Sequence, residues 1–211
     1  MIHIFKDILP LEKAEDLLDN VNSMPESELS LAYFLLNNGP FYLKNVLSDN
    51  NTKIANDSLL AHSLKENGFT YRFRRTVGQP RGFLKDFYLE YLQKDLKTFI
   101  QNNTKFINVA PAEVFLSVYG QGDFLSTHHD HNKGDLAFVL NLTKNWRPEY
   151  GGLLHVLQED GTYKAVNPEF NSLVIMELPA EGVAHFVSEV TKYAPKPRIA
   201  ISGWYTETKD R

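Results

Sequence analysis

The second half of the chain is divided into short apolar or alternating segments, separated by glycine, proline, asparagine or aspartate. Segments of this length with turn residues between them predict β-strands joined by short connections. About eight strands at such spacing predict a double-stranded β-helix, the jelly roll of cupin-like proteins. We place the strands near residues 113–119, 123–130, 135–142, 152–157, 162–166, 172–178, 183–190 and 198–206.

Before residue 110 the apolar residues recur mainly at helical spacing. Residues 9–18, with a proline near the first turn, predict one helix, and residues 54–66 predict a second. Apolar positions every three or four residues between Phe83 and Ile100 predict the third and strongest helix. Residues 69–76 alternate aromatic with polar or basic side chains, which predicts a strand between the last two helices.

The length of 211 residues fits one domain with a sizeable core, and the sequence contains no repeat and no linker. We therefore predict a single domain over residues 1–211, of class α+β. Its helical N-terminal part covers residues 1–110 and packs against one sheet of a jelly-roll core at residues 111–206.

Composition narrows the function classes. The net charge of −4 argues against a dedicated nucleic-acid binder, which would normally present a basic face. The absence of cysteine excludes disulfides, zinc–thiolate sites and a cysteine nucleophile. The N-terminus lacks a signal-peptide pattern, and no apolar stretch is long enough to cross a membrane. We expect a cytoplasmic protein with no membrane partner.

A His-x-Asp pair, His128 and Asp130, lies in the predicted strand at 123–130. On a strand, residues i and i+2 point to one face about 7 Å apart, so an imidazole and a carboxylate can converge on one ion. His185 from a later predicted strand would complete a set of two histidines and one carboxylate. This set is the facial triad of non-haem Fe(II) oxygenases, and it leaves coordination positions open.

Neighbouring histidines allow other pairings. His129 and His131 share the same spacing, but they alternate onto the opposite face and lack a carboxylate two residues on. We favour His128 and Asp130 as ligands and interpret the other two as polar residues at the rim. His155 is interpreted as an ordinary strand residue.

Basic residues in two predicted strands are candidates for binding anions. Arg198 begins the apolar segment at 199–201, and its planar, permanently charged fork matches a carboxylate. It could hold the distal carboxylate of a metal-bound 2-oxo acid, and an exposed strand-edge charge is the alternative. Arg72 and Arg74 could bind a substrate carboxylate, although we favour a solvated basic face for them.

Several motifs follow one another in order between residues 110 and 206. They are Tyr119-Gly120-Gln121-Gly122-Asp123-Phe124-Leu125 before the His-x-Asp pair, Leu140-Asn141-Leu142-Thr143, Trp146-Arg147-Pro148-Glu149-Tyr150-Gly151-Gly152, Pro168-Glu169-Phe170-Asn171-Ser172-Leu173, and the block from His185 through Arg198 to Tyr205. With these motifs the second half resembles the 2-oxoglutarate/Fe(II) oxygenases of the prolyl-hydroxylase superfamily. It looks closest to the branch of prolyl 3-hydroxylases and their small bacterial relatives.

The resemblance implies that His128, Asp130 and His185 bind Fe(II), that Arg198 binds the distal carboxylate of 2-oxoglutarate, and that Tyr119 donates a hydrogen bond to this cosubstrate. It implies O₂ as the second cosubstrate and ascorbate as a candidate additional cofactor. The expected activity is a dioxygenase that hydroxylates an amino-acid residue, proline first, in a protein, a peptide or a small molecule, with release of succinate and CO₂. The alternative is a cupin-like sensor module that binds metal and 2-oxoglutarate without turnover.

Three positions depart from the pattern of these relatives. Asn141 stands where the prolyl 3-hydroxylases carry a tyrosine, Ala200 where a serine is frequent, and Asp135 where many have an arginine. These changes leave the predicted metal ligands intact and bear on substrate identity. We expect Trp204 either to close the pocket or to pack as a core aromatic.

Overall fold

The computed structural model describes residues 1–35, 38–43, 65, 68–180 and 182–208. Apart from Lys65, the predicted helix at 54–66 lies outside these residues. The described strands are β1 (Ile2–Phe5), β2 (Ser30–Leu35), β3 (Asn38–Leu43), β4 (Tyr71–Arg75), β5 (Val109–Tyr119), β6 (Phe124–His128), β7 (Leu136–Asn141), β8 (Leu154–Leu157), β9 (Tyr163–Val166), β10 (Ser172–Glu177), β11 (His185–Val187) and β12 (Arg198–Glu207).

The helices are few and lie early in the chain. They are α1 (Leu11–Asn22), α2 (Gly82–Phe87) and α3 (Lys97–Asn103), with a π-helical segment at Tyr88–Leu96 joining the last two. Short 3-10 turns occupy Glu26–Glu28 and Pro148–Tyr150. Within the described ranges, no helix combines the length and apolar character that crossing a membrane would require.

All the strands join one curled antiparallel sheet. Its order is β1-β10-β7-β12-β5-β4-β6-β11-β8-β9, and the β2–β3 hairpin is attached to β4. The two ends of β4 pair with different strands: Arg74 and Arg75 pair with β5, whereas Tyr71 and Arg72 pair with β6. β4 therefore links the two parts of the sheet. The predicted jelly-roll fold is therefore confirmed.

The strands of the β10-β7-β12-β5 part are apolar on both faces, which explains their nearly continuous burial. One face packs against the helices, where Ile199 and Ile201 of β12 share a buried cluster with Leu92 and Leu96. This arrangement confirms helices packed against one sheet. The opposite face forms a second buried cluster inside the curl, which includes Phe73, Phe115, Tyr119, Ala137, Val174, Met176 and Val187.

The first half contains more sheet than its periodicity predicted. β1 extends the sheet by pairing with β10, from Ile2 opposite Met176 to Phe5 opposite Leu173. The β2–β3 hairpin pairs with β4 and was also not predicted. Strands of four to six residues give too little periodicity to be recognised from the sequence alone, and their partners supply the missing hydrogen bonds. The division at residue 110 and the single-domain boundaries stay a prediction.

Gly151 provides a test of the turn that precedes β8. Its backbone has φ 69° and ψ −153°, a region that is essentially restricted to glycine. A Cβ at this position would lie 2.0 Å from the Glu189 carbonyl oxygen. We expect Gly151→Ala to lower the free energy of unfolding by about 3 kcal/mol or more, measured by urea denaturation.

Gly161 is the matched control for that substitution. It also has a positive φ, 82°, but no atom lies within 4 Å of its hypothetical Cβ. Gly161→Ala should therefore cost only the backbone strain, about 1 kcal/mol. Equal losses in the two variants would show that the close approach to Glu189 does not matter.

Candidate metal centre

A cavity of about 570 Å³ lies inside the curl of the sheet. Residues from the chain before and after residue 110 line it. Aromatic rings form one wall, where Phe73 lies between Tyr71, at 5.4 Å between ring centroids, and Tyr119, at 4.7 Å. Tyr71 and Phe73 belong to the strand predicted at 69–76. One face of this strand therefore lines the cavity. Phe34 and Phe69 continue the same wall, with centroids 5.0 Å apart.

His128, Asp130 and His185 come together at this cavity. His128 ends β6 and is the cross-strand partner of His185, which begins β11. The two imidazole centroids are 4.2 Å apart. The Asp130 carboxylate lies between them, with Oδ1 3.4 Å from His128 Nε2 and Oδ2 3.5 Å from His185 Nε2. One ligand atom from each residue lies within 4.8 Å of the others, so the group could hold one metal ion.

The position of Asp130 differs from the one that strand alternation predicted. The strand predicted over 123–130 ends at His128, and Asp130 lies two residues beyond it, in irregular backbone directly before the turn at 131–133. Cross-strand pairing to His185 therefore positions the first histidine, whereas side-chain contacts position the carboxylate. The closest of these is a hydrogen bond from Trp204 Nε1 to Asp130 Oδ2, 2.9 Å long.

The two imidazoles are oriented by backbone carbonyls. His128 Nδ1 lies 3.0 Å from the Ser126 carbonyl oxygen, and His185 Nδ1 lies 2.8 Å from that of Val183. A carbonyl can only accept a hydrogen bond, so each Nδ1 must carry the proton. A deprotonated Nε2 presents a lone pair that can bind a metal, whereas a protonated Nε2 can donate a hydrogen bond to the Asp130 carboxylate.

The Asp130 carboxyl is held in its charged form. Burial by itself would raise its pKa, but hydrogen bonds and charge interactions with His128 and His185 outweigh burial and hold the pKa well below its usual range. Asp130 is therefore a carboxylate at neutral pH. A charged oxygen donor beside two imidazole nitrogens is a ligand set that suits divalent iron.

The remaining histidines near the sequence motif do not join this group. His129 and His131 are exposed at the cavity rim, and their rings stack on each other at 5.4 Å. His155 lies on β8 and stacks on Phe186, with centroids 4.3 Å apart. In the part of the chain that the structure describes, the only metal-capable cluster is His128, Asp130 and His185.

Arg198 lies at the buried end of the same cavity, with 3% of its surface exposed. Its Cζ is 5.1 Å from the centroid of the Tyr119 ring, and one terminal nitrogen is 3.5 Å from Asn141 Oδ1. Its Nε has no hydrogen-bond partner among the described residues. Burial lowers the pKa of Arg198 from its ordinary value, yet a guanidinium stays protonated in proteins. The cavity therefore contains a buried cation able to accept an anionic partner.

Tyr119 lies beside Arg198 at the end of β5, and it is buried at the cavity wall. Burial raises the pKa of its phenol above the usual value. The hydroxyl is therefore protonated at neutral pH and can donate a hydrogen bond into the cavity. Tyr119 and Arg198 are cross-strand partners in the β5–β12 pair, which explains why residues distant in sequence meet here.

Arg72 differs from the sequence interpretation. It is buried, and its Nε donates a 3.0 Å hydrogen bond to Asp123 Oδ1. A second bond runs from its terminal nitrogen to the Gly122 carbonyl, while Asp123 Oδ2 accepts one from the Gly120 amide. The solvated basic face predicted for this residue is therefore wrong. Arg72 holds β4 to the turn between β5 and β6, directly before the His-x-Asp pair.

The polar contacts of two residues at the site were not predicted. Asn141, noted only as a departure from the relatives, contacts Arg198 and donates a hydrogen bond to Ser172 Oγ at 3.1 Å. Trp204 was expected to close the pocket or fill the core, yet its indole hydrogen-bonds to Asp130. The available signal was alternation along β12, which places Trp204 on the face that carries Arg198.

Comparison with known proteins now adds to this geometry. A model of the family described as the 2OG-Fe(II) oxygenase superfamily matches residues 114–206. This segment, a little less than half of the chain, is therefore similar to the 2OG-Fe(II) oxygenases. The matched segment begins in β5 and ends in β12, so it contains His128, Asp130, His185 and Arg198. No curated protein sequence matches the chain with statistical significance.

Solved structures show the same fold at low sequence identity. A Pseudomonas putida prolyl-4-hydroxylase has a TM-score of 0.62 and 18% identity, over 98% of this chain and 92% of that one. The viral collagen prolyl hydroxylase of Paramecium Bursaria Chlorella virus-1, in its 2OG complex, has a TM-score of 0.57 and 12% identity, over 99% and 96%. A Trichoplax adhaerens prolyl hydroxylase, in complex with a peptide fragment of hypoxia inducible factor, has a TM-score of 0.52 and 15% identity, over 93% and 92%.

The family match and the shared fold confirm the predicted resemblance to the 2-oxoglutarate/Fe(II) oxygenases and the prediction of a dioxygenase enzyme. Fe(II), 2-oxoglutarate and O₂ are the reactants that this superfamily implies. The narrower resemblance to prolyl 3-hydroxylases and a role for ascorbate stay predictions.

Proposed function

We propose that this oxygenase hydroxylates an amino-acid residue, with proline as the first candidate, in a peptide or protein. His128, Asp130 and His185 would hold Fe(II), and Arg198 would bind the distal carboxylate of 2-oxoglutarate, with Tyr119 as an additional donor. The observation that carries the proposal is the buried Arg198 guanidinium, with an unpartnered Nε, in the cavity that also contains the His-Asp-His group. Burying a cation that has no acidic partner costs free energy of folding, unless an anionic ligand pairs with it.

The donor set fits the metal and the cosubstrate. Two Nε2 atoms and one carboxylate oxygen occupy at most three positions of an iron ion, which leaves room for a bidentate 2-oxo acid and O₂. When bound, iron with these partners supplies the oxidation that converts a C–H bond, 2-oxoglutarate and O₂ into C–OH, succinate and CO₂. The protein would hold the reactants in place, and the largely apolar wall of the cavity would limit their contact with water.

The cavity wall supports a substrate with an apolar ring. Phe34, Phe69, Tyr71 and Phe73 form a continuous aromatic surface, and the Phe69 ring lies 5.3 Å from that of His128. A pyrrolidine ring could pack on this wall with its C–H bonds directed at the metal centre. The Trichoplax relative was crystallised with a peptide, which is consistent with a peptide substrate for this chain as well.

The first test is an anaerobic titration of the protein with Fe(II) and 2-oxoglutarate. We expect a visible metal-to-ligand charge-transfer band in the wild type and none in His128→Ala. Succinate release would then be measured with proline-containing peptides and free amino acids under air. Absence of the band in the wild type would contradict the proposal.

A second outcome separates the alternative function from the proposed one. A cupin-like sensor module would show the charge-transfer band but release no succinate with any amino-acid or peptide substrate. Turnover coupled to a hydroxylated product would exclude that alternative. A cytoplasmic location remains a prediction beside this proposal.

A further inference from the structure

Trp204 shares a face of β12 with the residue that we propose binds the cosubstrate. Residues of a strand alternate between its two faces, so Arg198, Ser202 and Trp204 point into the cavity. Tyr205 points the other way and donates a 2.6 Å hydrogen bond to the Leu92 carbonyl in the helical layer. One strand therefore connects the buried end of the cavity to the metal centre.

The backbone of β12 is irregular at this point. Its register with β7 is continuous and pairs Trp204 with Ala137, but its register with β5 shifts between Gly203 and Tyr205. A Cβ on Gly203 would lie 2.1 Å from the Glu113 carbonyl oxygen, so the two backbones approach closely. Such irregularities redirect side chains and are frequent beside active sites. Here the irregularity flanks the residue that reaches Asp130.

The indole ring is held in place by packing on more than one element. Its centroid is 5.7 Å from that of Phe115 on β5, and Nζ of Lys133, in the turn at 131–133, lies 5.5 Å from the Trp204 ring centroid. From this position Nε1 donates to Asp130 Oδ2 at 2.9 Å. An indole N–H only donates and cannot bind a metal, so its effect on the centre must act through the carboxylate.

We propose that Trp204 is a positioning residue for Asp130, a role that rests on the proposed function of the metal centre. Its hydrogen bond occupies Oδ2 and fixes the carboxylate plane, so that Oδ1 is presented to the metal beside His128. The turn after β6 does not fix Asp130 by strand pairing, so this side-chain bond supplies the missing constraint. Partners of this kind typically change metal affinity or activity by about 10–100-fold when they are removed.

The chain contains only two tryptophans, which gives a matched control. Trp146 also donates its indole N–H at 2.9 Å, but to the Gly151 carbonyl, away from the His-Asp-His group. Trp204→Phe and Trp146→Phe therefore remove the same donor at two different places. Both variants retain an apolar aromatic ring, so they disturb the surrounding packing less than a substitution by alanine would.

The test compares the apparent Fe(II) affinity of the two variants with the wild type, using the anaerobic charge-transfer band with saturating 2-oxoglutarate. We expect Trp204→Phe to weaken Fe(II) binding by about 10–100-fold and to shift the band, and Trp146→Phe to leave both unchanged. Wild-type affinity and an unshifted band in Trp204→Phe would overturn the positioning role. A wild type without any band would instead overturn the proposed function itself.

A second measurement needs only one of the two variants to fold. In ¹⁵N-labelled wild-type protein the two indole N–H groups give two resonances, assigned by the spectrum of either variant. Zn(II), a diamagnetic ion that accepts histidine and carboxylate ligands, should shift the Trp204 resonance and leave that of Trp146 in place. If Zn(II) binds and neither resonance moves, the hydrogen bond does not report on the metal centre and the proposal fails.

Discussion

Replacing Arg198 with methionine should abolish 2-oxoglutarate binding and, at the same time, make the ligand-free protein more resistant to unfolding. The guanidinium is buried, its Nε lacks a partner, and no described acid forms an ion pair with it. Such a buried, unpaired cation lowers the stability of the unliganded protein. A methionine of similar length would remove this destabilising charge. The same cation is the group that a distal carboxylate would engage.

The expected loss of binding follows from the strength of charge-assisted hydrogen bonds. Two such bonds, at about 1.5–3 kcal/mol each, correspond to a loss of about 10²–10⁴-fold in affinity for 2-oxoglutarate. Thermal unfolding of the wild type should shift upward when Fe(II) and 2-oxoglutarate are added, because a ligand that binds only the folded state stabilises it. Arg198→Met should start from a higher midpoint and show little further shift with 2-oxoglutarate.

Arg72 is the control, because it is also buried but already has a carboxylate partner. Its Nε lies 3.0 Å from Asp123 Oδ1, so Arg72→Met would leave a buried acid unpaired. That substitution should lower the free energy of unfolding by about 3–5 kcal/mol, the opposite sign to Arg198→Met. If both variants are destabilised alike, Arg198 is a structural cation and not a vacant anion-binding group.

Local patterns predicted the core of the fold and several residues that lie together at the cavity. Turn residues and alternation predicted the strands of the second half, because most strands there bury at least one face in the sheet. The same patterns did not predict β1 or the β2–β3 hairpin, whose pairing depends on partners far along the chain. Sequence spacing cannot supply such partners.

Within the site, residue type predicted which groups would meet, but not how each is held. His128 and His185 meet because β6 pairs with β11, whereas Asp130 lies beyond the strand and depends on Trp204. Arg72 was interpreted as solvated, yet it is buried and donates a hydrogen bond to Asp123 in the turn between β5 and β6. Each of these outcomes depends on a side-chain contact between distant segments, which the periodicity of one segment does not encode.

Replacing His185 with alanine should remove metal binding almost completely while leaving the fold in place. His185 begins β11 and would supply one of the three proposed ligand atoms. Its loss should therefore weaken Fe(II) binding by more than about 100-fold, the upper end of the range for groups that only support a ligand. Without bound iron the charge-transfer band and succinate release should fall to background. Metal affinity would be measured by calorimetry, and folding by far-ultraviolet circular dichroism.

His155→Ala is the matched substitution on the neighbouring strand. His155 is the cross-strand partner of Phe186, the residue after His185, and its ring stacks on Phe186 away from the metal-capable group. Losing that contact should cost about 0.5–1.5 kcal/mol of stability and leave Fe(II) affinity unchanged. Equal loss of metal binding in the two variants would mean that the β8–β11 pairing, and not the imidazole of His185, is what the metal requires.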